Sequence, residues 1–194
     1  MFDTDRFITE SLQESSDVKS MMLNSCKNDI KKAVDIIIDS LKSGGKIMLC
    51  GNGGSAADCQ HIATEFVIRL SHDITRPAIA AIALTTDTSL LTAGANDIGY
   101  DNVFSRQVEA LGKSTDVLIA ISTSGNSRNV INAVKMAKEM GVSTIAMLGG
   151  SGGLMRGLCD CEVLIPSENV QRIQEGHITA GHIICESVER KLYS

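Results

Sequence analysis

Tryptophan is missing, and aromatic residues make up only 3% of a chain that is 43% hydrophobic. Such a core consists of Ile, Leu, Val and Ala layers between helices and sheet, and it offers no aromatic platforms for single-stranded nucleic acid. A basic stripe is also lacking: 18 Lys and Arg stand against 23 Asp and Glu, a net charge of −5. No nucleic acid is therefore expected as a partner. No apolar run is long enough to cross a bilayer, so no membrane association is expected. The opening residues MFDTDRFITE carry no basic-then-apolar secretory pattern. Cys26, Cys50, Cys59, Cys159, Cys161 and Cys185 form no Cys-x-x-Cys pair and are scattered through apolar segments. They read as buried, reduced thiols of a cytoplasmic protein. The spacing Cys159-x-Cys161 is that of two alternating strand residues, a core pattern before it is a metal pattern.

What is present has a regular order, and 194 residues suit one domain. Residues 1–43 contain no Gly or Pro and read as two helices, DTDRFITESLQESSDVKSMMLNS and NDIKKAVDIIIDSLKSGG. In the second, Ile30, Val34, Ile37 and Leu41 recur at helical spacing and Gly44-Gly45 ends the run. The first is polar on most faces, and such a helix ahead of an α/β core packs on a neighbouring subunit or across its own domain. From 44 to 194 short apolar runs (46–50, 78–84, 116–122, 143–148 and 161–166) alternate with amphipathic stretches (54–70, 100–111 and 127–140). Segment 87–95 is expected as a short helix capped by Asp87, and 170–192 as the closing helix. Near-continuous apolar strands alternating with helices predict a doubly wound α/β domain with a parallel sheet covered on both faces.

In such sheets ligands bind beyond the carboxyl ends of the strands. Two loops stand there. The first, Gly51-Asn52-Gly53-Gly54-Ser55-Ala56, formally matches a dinucleotide fingerprint. The acidic residue that should end the second strand is replaced by Thr85-Thr86, and glycines for a tight strand-to-helix turn explain the loop as well. No Gly-Lys-Ser/Thr ending exists, which excludes a P-loop. The second loop, Ser122-Thr123-Ser124-Gly125-Asn126-Ser127, gathers four hydroxyls around a glycine just before a helix. A lone hydroxyl there would be an N-cap, as Ser127 could be. Four of them with backbone N–H donors at a positive helix end suit a phosphate monoester.

Two helices carry groups for proton transfer. His61 and Glu65 are four apart and share a face of helix 54–70. Gln174 and His182, two such steps apart, share a face of the last helix. Either pair alone reads as a surface ion pair or a satisfied core residue. Placement just past the first loop raises His61 and Glu65 above that reading.

Four segments, CGNGGSAADCQHIATEF, TAGANDIGYDNVFSRQVEALG, ISTSGNSRNVINA and RIQEGHITAGH, together resemble the sugar isomerase (SIS) domain family, and within it the phosphoheptose isomerases. The resemblance spans nearly the whole chain. It implies a flavodoxin-like sheet of five parallel strands, a homotetramer with active sites between subunits, and a sugar-phosphate substrate. The implied reaction converts D-sedoheptulose 7-phosphate to D-glycero-D-manno-heptose 7-phosphate, the first step towards nucleotide-activated heptose for lipopolysaccharide or capsule. It implies that Ser122, Thr123, Ser124 and Ser127 hold the phosphate. Asn52, Gly53, Gly54, Ser55, Glu65, Asn96, Asp97 and Gln174 would line the sugar. Glu65 and His182 correspond to the acid–base pair, and His61, Glu65, Gln174 and His182 to the ligands of one zinc per subunit found in some members. Gln171 departs from relatives with an acidic residue there, which bears on substrate affinity. A ligating Glu65 would be a weaker base, and the residue types leave base, ligand or both open. The family also includes a catalytically silent adaptor that binds the bacterial replication initiator and lacks the helix glutamate and final histidine; Glu65 and His182 speak for an enzyme. Another SIS activity, a hexulose-phosphate isomerase or an amino-sugar-phosphate sensor, is the third alternative.

Overall fold

Strands apolar at every position bury both faces of a sheet, and the helices between them have to cover both. A computed structural model describes residues 1–194 and has this arrangement. The order is α1 (Thr4–Ser25), α2 (Lys27–Lys42), β1 (Ile47–Gly51), α3 (Gly54–Val67), β2 (Ala81–Ala83), α4 (Thr88–Asp97), α5 (Val103–Leu111), β3 (Val117–Ser122), α6 (Arg128–Glu139), β4 (Ser143–Gly149), β5 (Cys161–Ile165) and α7 (Val170–Tyr193). All five strands are parallel, in the order β2-β1-β3-β4-β5.

The period-2 alternation of a strand sorts its residues between two cores. Ile47, Leu49, Ile119, Ile121, Ile145 and Met147 face the larger one, which also takes in α1, α2, α3 and α7. Met48, Cys50, Leu118, Ala120, Ala146 and Leu148 face the smaller one beneath α5 and α6. Caps set where several helices begin. Asp3 accepts from the Arg6 N–H, Asp87 from Leu90 and Asn169 from Gln171, which satisfies backbone donors left open in the first turn. Helix α1 buries only Val18 and Met22, while Phe7, Ile8 and Leu12 of its first half remain exposed.

The structure differs from the sequence expectation in places. The apolar run 78–84 contributes only three ladder residues, because Ile79 donates its N–H to the Phe66 carbonyl at the end of α3 instead of to the sheet. The stretch 100–111 divides into a 3₁₀ turn (Tyr100–Asn102) and α5. Helix 54–70 stops at Val67. All six cysteines are free, five of them buried, and burial pushes every thiol upward, Cys161 to about 11 and Cys159 to about 12.

One buried polar group ties α7 to the sheet. His177 is fully buried, and its Nε2–H donates to the Leu148 carbonyl at 3.1 Å while Nδ1 has no partner. Burial lowers its pKa from 6.5 to about 4. The unfolded chain therefore binds a proton here that the folded chain refuses, and stability falls as pH drops through that window, by on the order of 3 kcal/mol in total. In His177→Gln, which keeps a donor for Leu148 but cannot titrate, urea unfolding should lose much less stability between about pH 6.5 and about pH 4. An unchanged slope assigns the acid sensitivity to other groups.

Candidate active site

The chain leaves β1 for β2 on one side and returns to β3 on the other. The loops after β1 and β3 therefore diverge above adjacent strand ends, which is where parallel sheets open a crevice. Both loops singled out in the sequence lie at this point.

The second loop is shaped by its glycine. Gly125 has φ +64°, and a Cβ there would overlap the Gly152 carbonyl in the loop after β4. Ser122 is buried; its Oγ accepts from the Gly125 N–H at 3.1 Å and lies 3.2 Å from Ser127 Oγ. Ser127 occupies the N-cap position of α6, yet its side chain makes no capping bond. The backbone N–H groups of Ser124, Ser127, Arg128 and Asn129 find no acceptor in the chain. Hydroxyls and unpaired N–H groups thus converge at a helix N-terminus, a cradle for an anion.

The first loop is tied to this cradle. Asn52 and the buried Asn129 exchange two amide bonds (2.9 and 2.8 Å), and the Tyr100 hydroxyl donates to Asn52 Oδ1 at 3.0 Å. Of the Asn52 side chain, only the second amide hydrogen remains for a ligand. Gly53, at φ +57°, and Gly54 are exposed, and Ser55 is buried under the loop. Asn96 and Asp97 are exposed at the end of α4, bonded to each other at 2.7 Å. Neither is bonded to the two loops; Tyr100, three residues beyond Asp97, is the neighbour that reaches Asn52.

Helices α3 and α7 run in the same direction, with Gly54 against Gln174 and Ile62 against Gly181. This brings residues of distant parts of the chain together. His61 Nε2 lies 2.9 Å from His182 Nε2 and 3.1 Å from Glu65 Oε1, and the three donor atoms all lie within 4.8 Å of one another. Glu65 is mostly covered and His61 half-exposed. Two imidazole nitrogens and a carboxylate oxygen this close together could hold a metal ion, and a His₂Glu set is one that zinc accepts with a position left open. Gln174 shares this helix pair, but its amide rests over Gly54, two turns before His61.

Asp58, Asn129 and Tyr100 were not among the residues singled out from the sequence. Asp58 is half-buried with Oδ2 unpaired. Burial raises its pKa, and His61 and His182 oppose that shift. Its signal was present, since Asp58, His61 and Glu65 fall on one helical face at i, i+3 and i+7. The Asn52–Asn129 pair had none, because the two residues are 77 apart.

Relatives share this arrangement of sequence and fold. A model described as the SIS domain matches residues 12–149. A phosphoheptose isomerase of Pelodictyon phaeoclathratiforme is 50% identical over 95% of this chain and 88% of its own length. Among solved structures, the phosphoheptose isomerase of Neisseria gonorrhoeae matches with a TM-score of 0.90 and 41% identity, covering 96% of this chain and 99% of that one. That of Francisella tularensis matches with a TM-score of 0.93 and 33% identity, covering 97% and 100%.

A Ser127 hydroxyl turned to Ser122 and making no capping bond separates an anion cradle from an ordinary helix start. Replacing a capping serine with alanine costs about 1 kcal/mol of stability. Ser127→Ala should leave unfolding free energy within about 0.5 kcal/mol of the parent. It should weaken sugar-phosphate binding by about 1–3 kcal/mol, read by calorimetry. The opposite pattern, lost stability with unchanged affinity, returns Ser127 to capping.

Proposed function

The chain belongs to the SIS domain family, and from that membership we propose that it is a phosphoheptose isomerase acting on D-sedoheptulose 7-phosphate. The observation that carries this reading is the meeting of Glu65 with His182, 117 positions apart, beside the anion cradle of a SIS fold. A silent adaptor has no use for that pair.

The ketose carries its carbonyl at C2 and its exchangeable hydrogen at C1. With the phosphate held at Ser122, Thr123, Ser124 and Ser127, the far end of the sugar reaches towards α3 and α7. The Glu65 carboxylate takes the C1 proton while His182 donates to the C2 oxygen, giving the cis-enediol. Glu65 then returns the proton to C2 while His182 accepts the O1 hydroxyl proton, and the aldose D-glycero-D-manno-heptose 7-phosphate results with no atom gained or lost. Proton transfer by each group contributes on the order of 10²–10⁴ in rate. An imidazole serves oxygen acids and bases near neutral pH. The product supplies heptose for lipopolysaccharide or capsule.

The donor atoms of His61, Glu65 and His182 on α3 and α7 fit one zinc per subunit, while the Gln174 amide, resting over Gly54, stands apart from them. Bound there, zinc would instead polarise the sugar carbonyl as a Lewis acid, because a ligating Glu65 is a weaker base. The assembly is a homotetramer. Two features support it: the exposed Phe7, Ile8 and Leu12 of α1, and an apolar hollow of about 350 Å³ between α1, α2 and α7, floored by Met22, Ile30 and Ile183. No helix is long and apolar enough to cross a membrane, and the enzyme works in the cytoplasm.

Glu65→Gln and His182→Gln keep size and hydrogen bonding but remove the proton-transfer group. Each should fold and assemble as the parent does, bind substrate nearly as well, and lose kcat by about 100-fold or more in conversion of sedoheptulose 7-phosphate. Full kcat in either variant removes that residue from the chemistry. Metal content is a separate measurement. Elemental analysis of the purified chain should find about one zinc per chain, lost with chelator and in His61→Ala, because His₂Glu binding needs all three ligands. Zinc retained in His61→Ala places the metal elsewhere.

A further inference from the structure

Helix α3 ends abruptly just after Glu65, and the Glu65 carbonyl has no backbone donor. A side chain supplies it. Arg76, in the loop between α3 and β2, donates from Nη2 to the Glu65 carbonyl at 2.7 Å. Its Nη1 donates to the Pro77 carbonyl at 3.0 Å, and its Nε to Glu189 Oε1 at 2.6 Å. The same Glu189 oxygen accepts from the Leu70 N–H at 3.3 Å. Both charged side chains are 1% exposed. Glu189 stands seven residues, two helical turns, beyond His182 on α7.

A buried ion pair is a poor device for stability, because desolvation of both charges offsets their attraction. The second Glu189 oxygen has no partner at all, a further cost. What the pair does provide is position. One guanidinium holds the backbone of Glu65 and, through Glu189, the helix that carries His182. We propose that Arg76 is a positioning residue for the isomerisation, its clamp setting the Glu65 carboxylate against His61 and His182. This rests on the isomerase assignment above. Arginine's planar fork is required, since an ammonium reaches Glu189 without spanning to the Glu65 carbonyl as well.

Two variants test the clamp. Arg76→Lys keeps the charge opposite Glu189. The double variant Arg76→Met/Glu189→Leu removes both charges, leaves no unpaired ion, and remains informative where the single variant does not fold. Each is assayed for kcat and KM with sedoheptulose 7-phosphate, and its histidine ring nitrogens are observed by ¹H–¹⁵N NMR. A displacement of about 1 Å costs on the order of 100-fold in rate. The expected result is therefore kcat lower by roughly 10- to 100-fold with KM nearly unchanged. The His61 and His182 signals should move while that of the buried His177 stays. A folded variant with kcat within about twofold of the parent, whatever its melting temperature, overturns the proposal. So do His61 and His182 signals at their parental positions. A parent chain that does not convert sedoheptulose 7-phosphate refutes the isomerase assignment instead, and the ring signals alone then decide whether Arg76 positions Glu65.

Discussion

Helices α3 and α7 carry the groups that matter, and the distance between them is set by what is missing from their surfaces. A Cβ on Gly181 would stand 2.7 Å from Cδ1 of Ile62, a buried side chain that cannot yield without moving its helix. At the other end, Gly54 faces the Gln174 amide, a flexible group that could turn aside. The contact at Gly181 is the firm one, and it lies next to His182 in the chain just as Ile62 lies next to His61. Two imidazoles and a carboxylate meet because one side chain is reduced to hydrogen. Close packing turns a methyl group at that position into a helix displacement, and the trio would open with it.

The sheet decides where that helix pair sits. Every residue of β1 and β3 is buried, so these strands can end only in loops that climb out at the edge of the sheet. The reversal of strand order between them keeps the two loops from covering one another. Their backbones then present donors that neither strand nor helix can use. The Asn52–Asn129 amide pair fastens one loop to the helix of the other, and Gly125 lets the hydroxyl loop lie directly on the loop after β4. Fold and site are in this sense one object: the same burial that stabilises the sheet leaves its loop donors unpaired.

Much of this was legible in the sequence, because its causes are local. Strands buried on both faces announce themselves as unbroken apolar runs, and four of the five were placed to within a residue or so. The second run, at the sheet margin, pairs over three residues, since Ile79 near its start is bonded to the end of α3. Periodicity put His61 beside Glu65 correctly. It also put Gln174 and His182 on one face of α7, but eight residues of helix separate them by roughly 12 Å along the axis, and the amide rests at Gly54. Contacts across the fold left no local trace. Arg76 follows Glu65 by 11 residues in an irregular stretch, and nothing in its neighbours indicates that its guanidinium returns to a helix end. Asn129 reads as one more polar residue of α6 until the opposite loop is seen.

The thiols show what the core excludes. Cys59 and Cys185 lie in the interior near Asp58 and Glu65, Cys50 lies in the opposite core, and burial raises all three. A thiol held protonated at neutral pH is neither a nucleophile nor a partner for disulfide exchange. An electrophile or oxidant in the crevice therefore faces the exposed oxygen and nitrogen groups first, with the sulfur covered beneath them.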